Sequence, residues 1–201
     1  MNNKFFDLKK EKQDRMINAA LKVFAIYGFN KASTDDIVKE AGISKGLLFH
    51  YFESKKGTYQ FMYEYSARYY SMELERSVTL REHNLFKIMA QVEDVKCGLL
   101  SQYPYMLRFM LTYDKLDDEE FKASLASYEG MIPAAMKEIY DRVDLTKIKD
   151  EVDKDLLIRS LEYTTRGLME EAVDKELSPD DVRAEMKAYL KMMAQAYNKE
   201  Q

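Results

Sequence analysis

Apolar residues recur at helical intervals along almost the whole chain. From Lys9 to Tyr27, the residues Ile17, Ala20, Leu21, Phe24 and Tyr27 fall at i, i+3, i+4 spacing, with Met16 and Val23 at the margins. Gly28 is placed to end that helix. Ser33 then offers an N-cap, with Asp36 three residues on in a capping-box variant that has Asp in place of Glu. Ile37, Val38 and Ala41 give the second helix its apolar face, and Gly42 stops it. Ser44 caps a third, short helix from Lys45 to Phe52. Two short helices joined through Ala41-Gly42-Ile43-Ser44 predict a helix-turn-helix. Gly42 permits the positive φ of the turn, Ile43 plugs the angle between the helices, and Ser44 satisfies an amide of the helix that follows.

The same periodicity continues from Lys55 to Val78 and from Leu85 to Leu100. Pro104 suits the first turn of a helix reaching Tyr113. Glu119 to Val143 reads as helix, with Gly130 and Pro133 set to kink or split it. Asp155 to Glu176 and Ser178 to Asn198 close the chain as two long helices, the last opened by Ser178-Pro179-Asp180-Asp181. Asp114–Asp118 and Asp144–Glu151 are polar linkers. The expected fold is all-α, with about nine helices. Seven glycines and three prolines in 201 residues are too few for the turns of a many-stranded barrel or sandwich.

Composition narrows the function. No apolar run approaches the roughly 18 residues of a membrane span, and Met1 to Lys12 is charged throughout, unlike a secretory signal. Neither a membrane partner nor export is expected. The single cysteine, Cys97, has no internal partner, which suits a reducing cytoplasm. His50 and His83 are the only histidines, so no metal site, no Cys–His nucleophile pair and no cofactor are expected. No phosphate loop or nucleophile–base pair supports an enzyme.

Charge is divided unevenly. The net charge is −4, yet residues 1–57 carry 11 Lys/Arg against 7 Asp/Glu, while residues 58–201 carry 20 against 28. A basic head on an acidic body points to a module that contacts double-stranded DNA, joined to something else. On a helical wheel of the third helix, Leu48, Tyr51 and Phe52 share the side that packs inward. Gly46 and His50 centre the opposite side, flanked by Lys45 and Phe49 and by Leu47. So short a helix, capped at its N-terminus, fits a major-groove reader. Ser44 and the amides of Lys45 and Gly46 suit a phosphate, as does the start of the second helix at Ser33. Lys45 reaches for a phosphate or a guanine edge, Gly46 lets the backbone approach, and His50 contacts a base edge or phosphate. Leu47 and Phe49 touch thymine methyls or sugars, and Lys55 contacts phosphate. The competing reading makes the caps purely structural, with Tyr51 and Phe52 in the core.

These residues resemble a known family. Ala32-Ser33-Thr34-Asp35-Asp36-Ile37, then Ala41-Gly42-Ile43-Ser44-Lys45-Gly46-Leu47-Leu48-Phe49-His50-Tyr51-Phe52 and Ser54-Lys55, look like the DNA-binding domain of the TetR (tetracycline-repressor) family of bacterial transcription regulators. The upstream helix and Tyr27-Gly28-Phe29 fit as well, so the specific part covers about residues 10–60. The resemblance implies a helix-turn-helix domain over 1–54 and an effector-binding and dimerisation domain over 55–201. The implied DNA-contact set is Ser33, Thr34, Ser44, Lys45, Gly46, Leu47, Phe49, His50, Tyr51 and Lys55. Three departures stand out. Phe49 replaces a usual Tyr and loses its hydroxyl contact to phosphate. Asp35 sits at a position that is often basic and should slightly repel DNA. Lys56-Gly57-Thr58 replaces the usual acidic residue and downstream Leu, with Lys56 restoring positive charge and Thr58 weakening the start of the fourth helix.

The last two helices carry apolar lines: Leu157, Leu161, Thr164, Leu168 and Ala172, with Gly167 alongside, and Val182, Met186, Tyr189, Met193 and Ala196. The resemblance implies that they pair with a second copy as a four-helix dimer interface; a place in the monomer core is the alternative. It also implies a small-molecule effector cavity in the middle helices. Phe86, Met89, Tyr103, Met106, Phe109, Met110, Tyr113, Tyr128, Met131 and Tyr163 are its candidate lining, adaptable thioethers beside tyrosine hydroxyls. The bland reading of these residues is core. The implied function is a cytoplasmic homodimeric repressor that binds a palindromic operator and is released by an apolar or amphipathic effector. The alternative is a DNA-binding structural or assembly factor of the same fold with no effector.

Overall fold

The computed structural model describes residues 3–199. Among them are ten α-helices: α1 Lys10–Lys31, α2 Thr34–Ala41, α3 Lys45–Phe52, α4 Lys55–Ser77, α5 Leu85–Gln102, α6 Met106–Met110, α7 Glu119–Glu129, α8 Met131–Tyr140, α9 Lys154–Asp174 and α10 Pro179–Tyr197. Short 3-10 helices cover Asn3–Asp7, Tyr113–Lys115 and Leu145–Lys147. Among the described residues, no helix is long and apolar enough to cross a membrane. The all-α expectation stands.

Most boundaries follow from the caps. Ser178 accepts from the Asp181 amide and Pro179 opens α10. Asp118 and Asp153 cap α7 and α9 in the same way. Three expectations need correction. Gly28 takes φ 68°, ψ 171° and breaks the helical path, but one further turn continues to Lys31. Pro104 lies two residues before α6 instead of within its first turn. The polar segment after Asp144 is partly ordered, because Ile148 bridges to Asn198 and the Lys149 amide donates to the Tyr197 carbonyl at 3.0 Å.

The chain forms two compact units. The first comprises Met1–Ser71 with Gln102–Pro133, and the second Met72–Ser101 with Ala134–Gln201. The core of the first unit is unusually aromatic. Phe24, Phe29, Tyr59, Phe109 and Phe121 make ring contacts, including Tyr59–Phe109 at 5.0 Å and Phe24–Tyr59 at 5.1 Å. The Tyr59 hydroxyl is paired with Thr112 at 2.8 Å. Beside this core lies a polar knot. Tyr103 donates to Asp14 at 3.0 Å and pairs with the Tyr65 hydroxyl at 2.7 Å, while Lys10 donates to Asp14 at 2.7 Å. It ties α1 to α4 and to the segment after α5.

In the second unit, Leu85, Phe86, Met89, Ile148, Leu157, Leu161 and Leu190 form one buried cluster. Tyr140 packs against it and donates to Glu162 at 3.1 Å. Glu93 is buried and held by Lys96 at 2.7 Å. Burial pushes the Cys97 thiol up to about 11, so it stays protonated and unreactive at neutral pH.

Burial also raises the phenols of Tyr59, to about 12, and of Tyr65 and Tyr103. Their folded values lie above the value of about 10 in an unfolded chain. The folded state therefore favours the neutral phenol. That contribution to stability is complete below about pH 10 and is lost as pH rises through the folded values. We expect the denaturant midpoint to be flat near pH 8–9 and to fall steeply above about pH 10. The fall should be shallower in Tyr103→Phe. Equilibrium unfolding against pH checks this.

Candidate nucleic-acid interface

The turn between α2 and α3 is built as its residues require. Gly42 adopts φ 62°, ψ 43°, and its amide donates to the Lys39 and Val38 carbonyls. The Ile43 amide closes on Val38 at 3.1 Å. Ser33 accepts from the Asp35 amide at 3.1 Å, and Ser44 from the Leu47 amide at 3.2 Å. Ser33 thus caps α2 through Asp35 and not through the Asp36 position of a capping box.

Helix α3 is amphipathic in the expected sense. Leu48 and Phe52 are buried, Leu47, Phe49 and Tyr51 are half-buried, and Ser44, Lys45, Gly46 and His50 are exposed. A Cβ at Gly46 would meet nothing within 4 Å, so the backbone there faces open space. His50 stands outward with its ring edge-on to Tyr51, 4.9 Å between centroids. Ser33 and Thr34 are half-buried at the start of α2.

A feature absent from the sequence-based reading holds this helix from behind. The 3-10 helix at the N-terminus drives Phe5 into complete burial. Its ring lies 5.3 Å from Phe52, 5.0 Å from Phe61 of α4 and 5.7 Å from Tyr51. Gln13 fixes the segment by donating to the Phe6 and Leu8 carbonyls at 3.0 and 2.7 Å. The signal in the sequence was an aromatic pair, Phe5-Phe6, inside an otherwise charged stretch.

The corner into α4 is equally constrained. Glu53 takes φ 64°, and the Ser54 amide returns to the Phe52 carbonyl at 2.6 Å. A Cβ on Gly57 would lie 2.1 Å from the Phe52 oxygen, so only glycine allows α4 this close to the end of α3. Thr58 is fully buried and donates to the Ser54 carbonyl at 2.8 Å. It is therefore an integrated packing residue and not the weak point expected of it.

Three charged residues are already engaged. Lys55 is half-buried, donates to the Asn30 and Ala32 carbonyls at 3.3 and 3.2 Å, and lies over the Phe29 ring at 4.7 Å. It closes the C-terminal end of α1, where a cation suits the helix dipole. Lys56 pairs with Asp118 at 3.0 Å. Lys45 pairs with Asp35 across the turn at 2.9 Å.

The candidate effector residues divide between the units. Tyr103, Met106 and Phe109 are buried in the first, and Met110, Tyr113, Tyr128 and Met131 are half-buried there. Phe86 and Met89 belong to the core cluster of the second unit, whereas Tyr163 is exposed. Of the candidate dimer residues, Leu157, Leu161, Val182 and Met186 are buried within the monomer. Thr164, Leu168 and Met193 are half-buried, and Gly167 and Tyr189 are exposed. The outward apolar stripes keep Gly167, Tyr189 and Ala196 of the expected set and add Leu156, Tyr163 and Met192. They are Leu156, Tyr163 and Gly167 on α9, and Tyr189, Met192 and Ala196 on α10.

We expect Phe5→Ala to lower folding stability by about 3–5 kcal/mol, since it empties a fully buried aromatic site. Chemical denaturation should show a lower midpoint with an unchanged slope.

Comparison with known proteins agrees with this geometry. Residues 16–58 match the family of bacterial regulatory proteins, tetR family. A 72-residue stretch is 39% identical to the uncharacterized HTH-type transcriptional regulator YuxN of Bacillus subtilis (strain 168), covering 36% of this chain and 24% of that protein. The chain therefore spans only about a quarter of that relative's length. Among solved structures, the TetR family regulator PfmR of Thermus thermophilus superposes with a TM-score of 0.60 at 15% identity, covering 93% of this chain and 100% of that one. The fatty acid degradation regulator FadR of Bacillus halodurans gives 0.62 at 15%, covering 88% and 96%. FadR of Bacillus subtilis, solved in complex with stearoyl-CoA, gives 0.57 at 17%, covering 88% and 96%. Residues 16–58, which hold the capped helix-turn-helix, thus match the tetR family of bacterial regulatory proteins, and the chain shares its all-α fold nearly end to end with these regulators.

Proposed function

We propose that the chain is a cytoplasmic transcriptional repressor that binds a palindromic operator as a homodimer and is released by a small apolar or amphipathic effector. One observation carries the DNA-binding part: the exposed side of α3 presents Lys45, Gly46 and His50 together, beside a capped N-terminus, while Leu48 and Phe52 anchor the other side. An anion site and a donor-bearing face on one short helix suit a phosphate and a groove edge at once. Ser33 and Thr34 bring a second helix N-terminus to the same task. Lys55 serves as a phosphate contact only if it gives up its two carbonyls.

The test is selection of duplexes from a random pool, followed by titration. The variant Lys45→Ala/His50→Ala should bind the selected duplex about 10- to 100-fold more weakly. An unchanged affinity and salt dependence would remove the assignment.

Homodimer formation is supported by the outward stripes of α9 and α10. Leu156, Tyr163 and Met192 are each more than half exposed, which is unusual for side chains of this size on helices with buried opposite faces. Tyr163→Glu/Met192→Glu should shift the protein from dimer to monomer in sedimentation velocity without changing its helical content. A two-fold pair of heads would place two α3 helices on an inverted repeat about one helical turn or more apart.

The effector is supported by the Met- and Tyr-rich middle helices and by the stearoyl-CoA held by one similar structure. A second reading keeps the fold and drops the effector. It is favoured by the ring contacts of Phe109 with Phe24, Tyr59 and Tyr63, which fill the space around it. Thermal melting with stearoyl-CoA and with shorter acyl-CoA esters separates them. A concentration-dependent rise in the midpoint, together with loss of duplex binding, supports the sensor.

A further inference from the structure

We propose that Asp35 is a specificity-determining residue of the DNA-reading face, acting by its pairing with Lys45. This rests on the DNA-binding reading above and adds to it a device against sequence-independent attachment.

The pair joins the first turns of the two helices of the helix-turn-helix. The Lys45 ammonium lies 2.9 Å from an Asp35 carboxylate oxygen, and the two side chains are 50% and 69% exposed. Both partners face water, so a nucleic acid meets them together. Lys45 is the only Lys or Arg between Lys39 and Lys55, and thus the only fully cationic side chain of α3. Three neighbouring lysines are engaged elsewhere. Lys22 is paired with Glu40 at 2.6 Å, Lys56 with Asp118, and Lys55 with two carbonyls. The rest of the exposed surface of α3 is glycine, imidazole and half-buried apolar side chains.

Sequence-independent affinity for DNA comes from cations that displace counterions from phosphate. Here the one cation of the reading helix is neutralised by its neighbour, and a phosphate approaching Lys45 also approaches a carboxylate. Random duplex is therefore penalised. The exposed pair is weak enough to open when other contacts reward it. An ammonium has three N–H donors, so pairing with one carboxylate leaves donors for acceptors such as the O6 and N7 of guanine. Asp35 also limits where the flexible lysine stem can swing.

The experiment uses the full-length protein, the duplex that the wild type selects from a random pool, and a scrambled duplex of equal length. Asp35→Asn should bind the scrambled duplex about tenfold tighter, with a log–log salt slope steeper by about 0.9, as for one added phosphate contact. Its preference for the selected duplex should fall by a similar factor. Asp35→Glu should retain wild-type preference. Asp36→Asn changes the net charge equally without touching the pair, and should leave the salt slope unchanged. In a Lys45→Ala background, Asp35→Asn should have no effect on the scrambled duplex. The proposal is overturned if Asp35→Asn and Asp36→Asn act alike, if the effect of Asp35→Asn survives without Lys45, or if preference is unchanged. A wild type that selects no sequence overturns the functional reading itself, and shows it before any variant is made.

Discussion

The burial of Leu48 and Phe52 decides which side of α3 is left for anything else. Both are almost wholly removed from water, and Phe52 is gripped by Phe5 and Phe61 at ring distances of 5.3 and 4.8 Å. A helix of eight residues has too few internal hydrogen bonds to persist alone. Its existence, its rotation about its own axis and its angle to α4 are therefore tertiary properties. Rotating it by one residue would bring His50 toward the aromatic cluster and expel Leu48, at a cost of roughly 1.5–3 kcal/mol for the lost leucine burial alone. The outward position of His50 follows from that cost, and so does any contact it makes.

Much of the head was legible in the sequence because its signals are local. Ser44, Gly42 and Ser33 act within four residues of their own positions, and the structure has them capping and turning as their chemistry demands. Periodicity placed Leu48 and His50 on opposite faces for the same reason. The features that escaped are those joining distant segments. Phe5 meets Phe52 across nearly fifty residues, and Lys55 reaches back to the carbonyls at the end of α1. No window of a dozen residues contains both partners. A lysine at a helix start looks the same whether it faces a phosphate or caps another helix.

The body shows the same division in a different form. Its helices follow the sequence pattern, but the apolar lines expected on α9 and α10 divide between buried residues such as Leu161 and Met186 and exposed ones such as Gly167 and Tyr189. Leu157 and Leu161 are as apolar as Leu156, and spacing alone does not say which line turns inward. Burial does: Leu161 is fully buried while Tyr163 is 65% exposed. Part of the heptad-like spacing, Leu157, Leu161, Val182 and Met186, serves the monomer's own packing. The exposed stripe alongside it is interrupted by Arg159, Ser160 and Arg166, and so carries a weaker periodic signal.

Charge in the head is subject to a conflict that the fold resolves by pairing. A surface that binds DNA needs cations, yet a surface rich in unpaired cations binds every duplex at near diffusion-limited rates and dwells on none in particular. Here several of the basic residues are engaged within the protein, by Asp14, Glu40, Asp118 and the carbonyls that end α1. On the proposed reading face of α3, what is offered outward is directional: a capped helix terminus, one tethered ammonium and one imidazole. Directional donors discriminate because they contribute fully only when the acceptor is in the right place, whereas a diffuse positive field does not depend on base sequence. The overall acidity of the chain is then no obstacle. Repulsion between an acidic body and the phosphate backbone weakens every sequence alike, so under the proposed function any preference falls to the few groups that α3 holds outward.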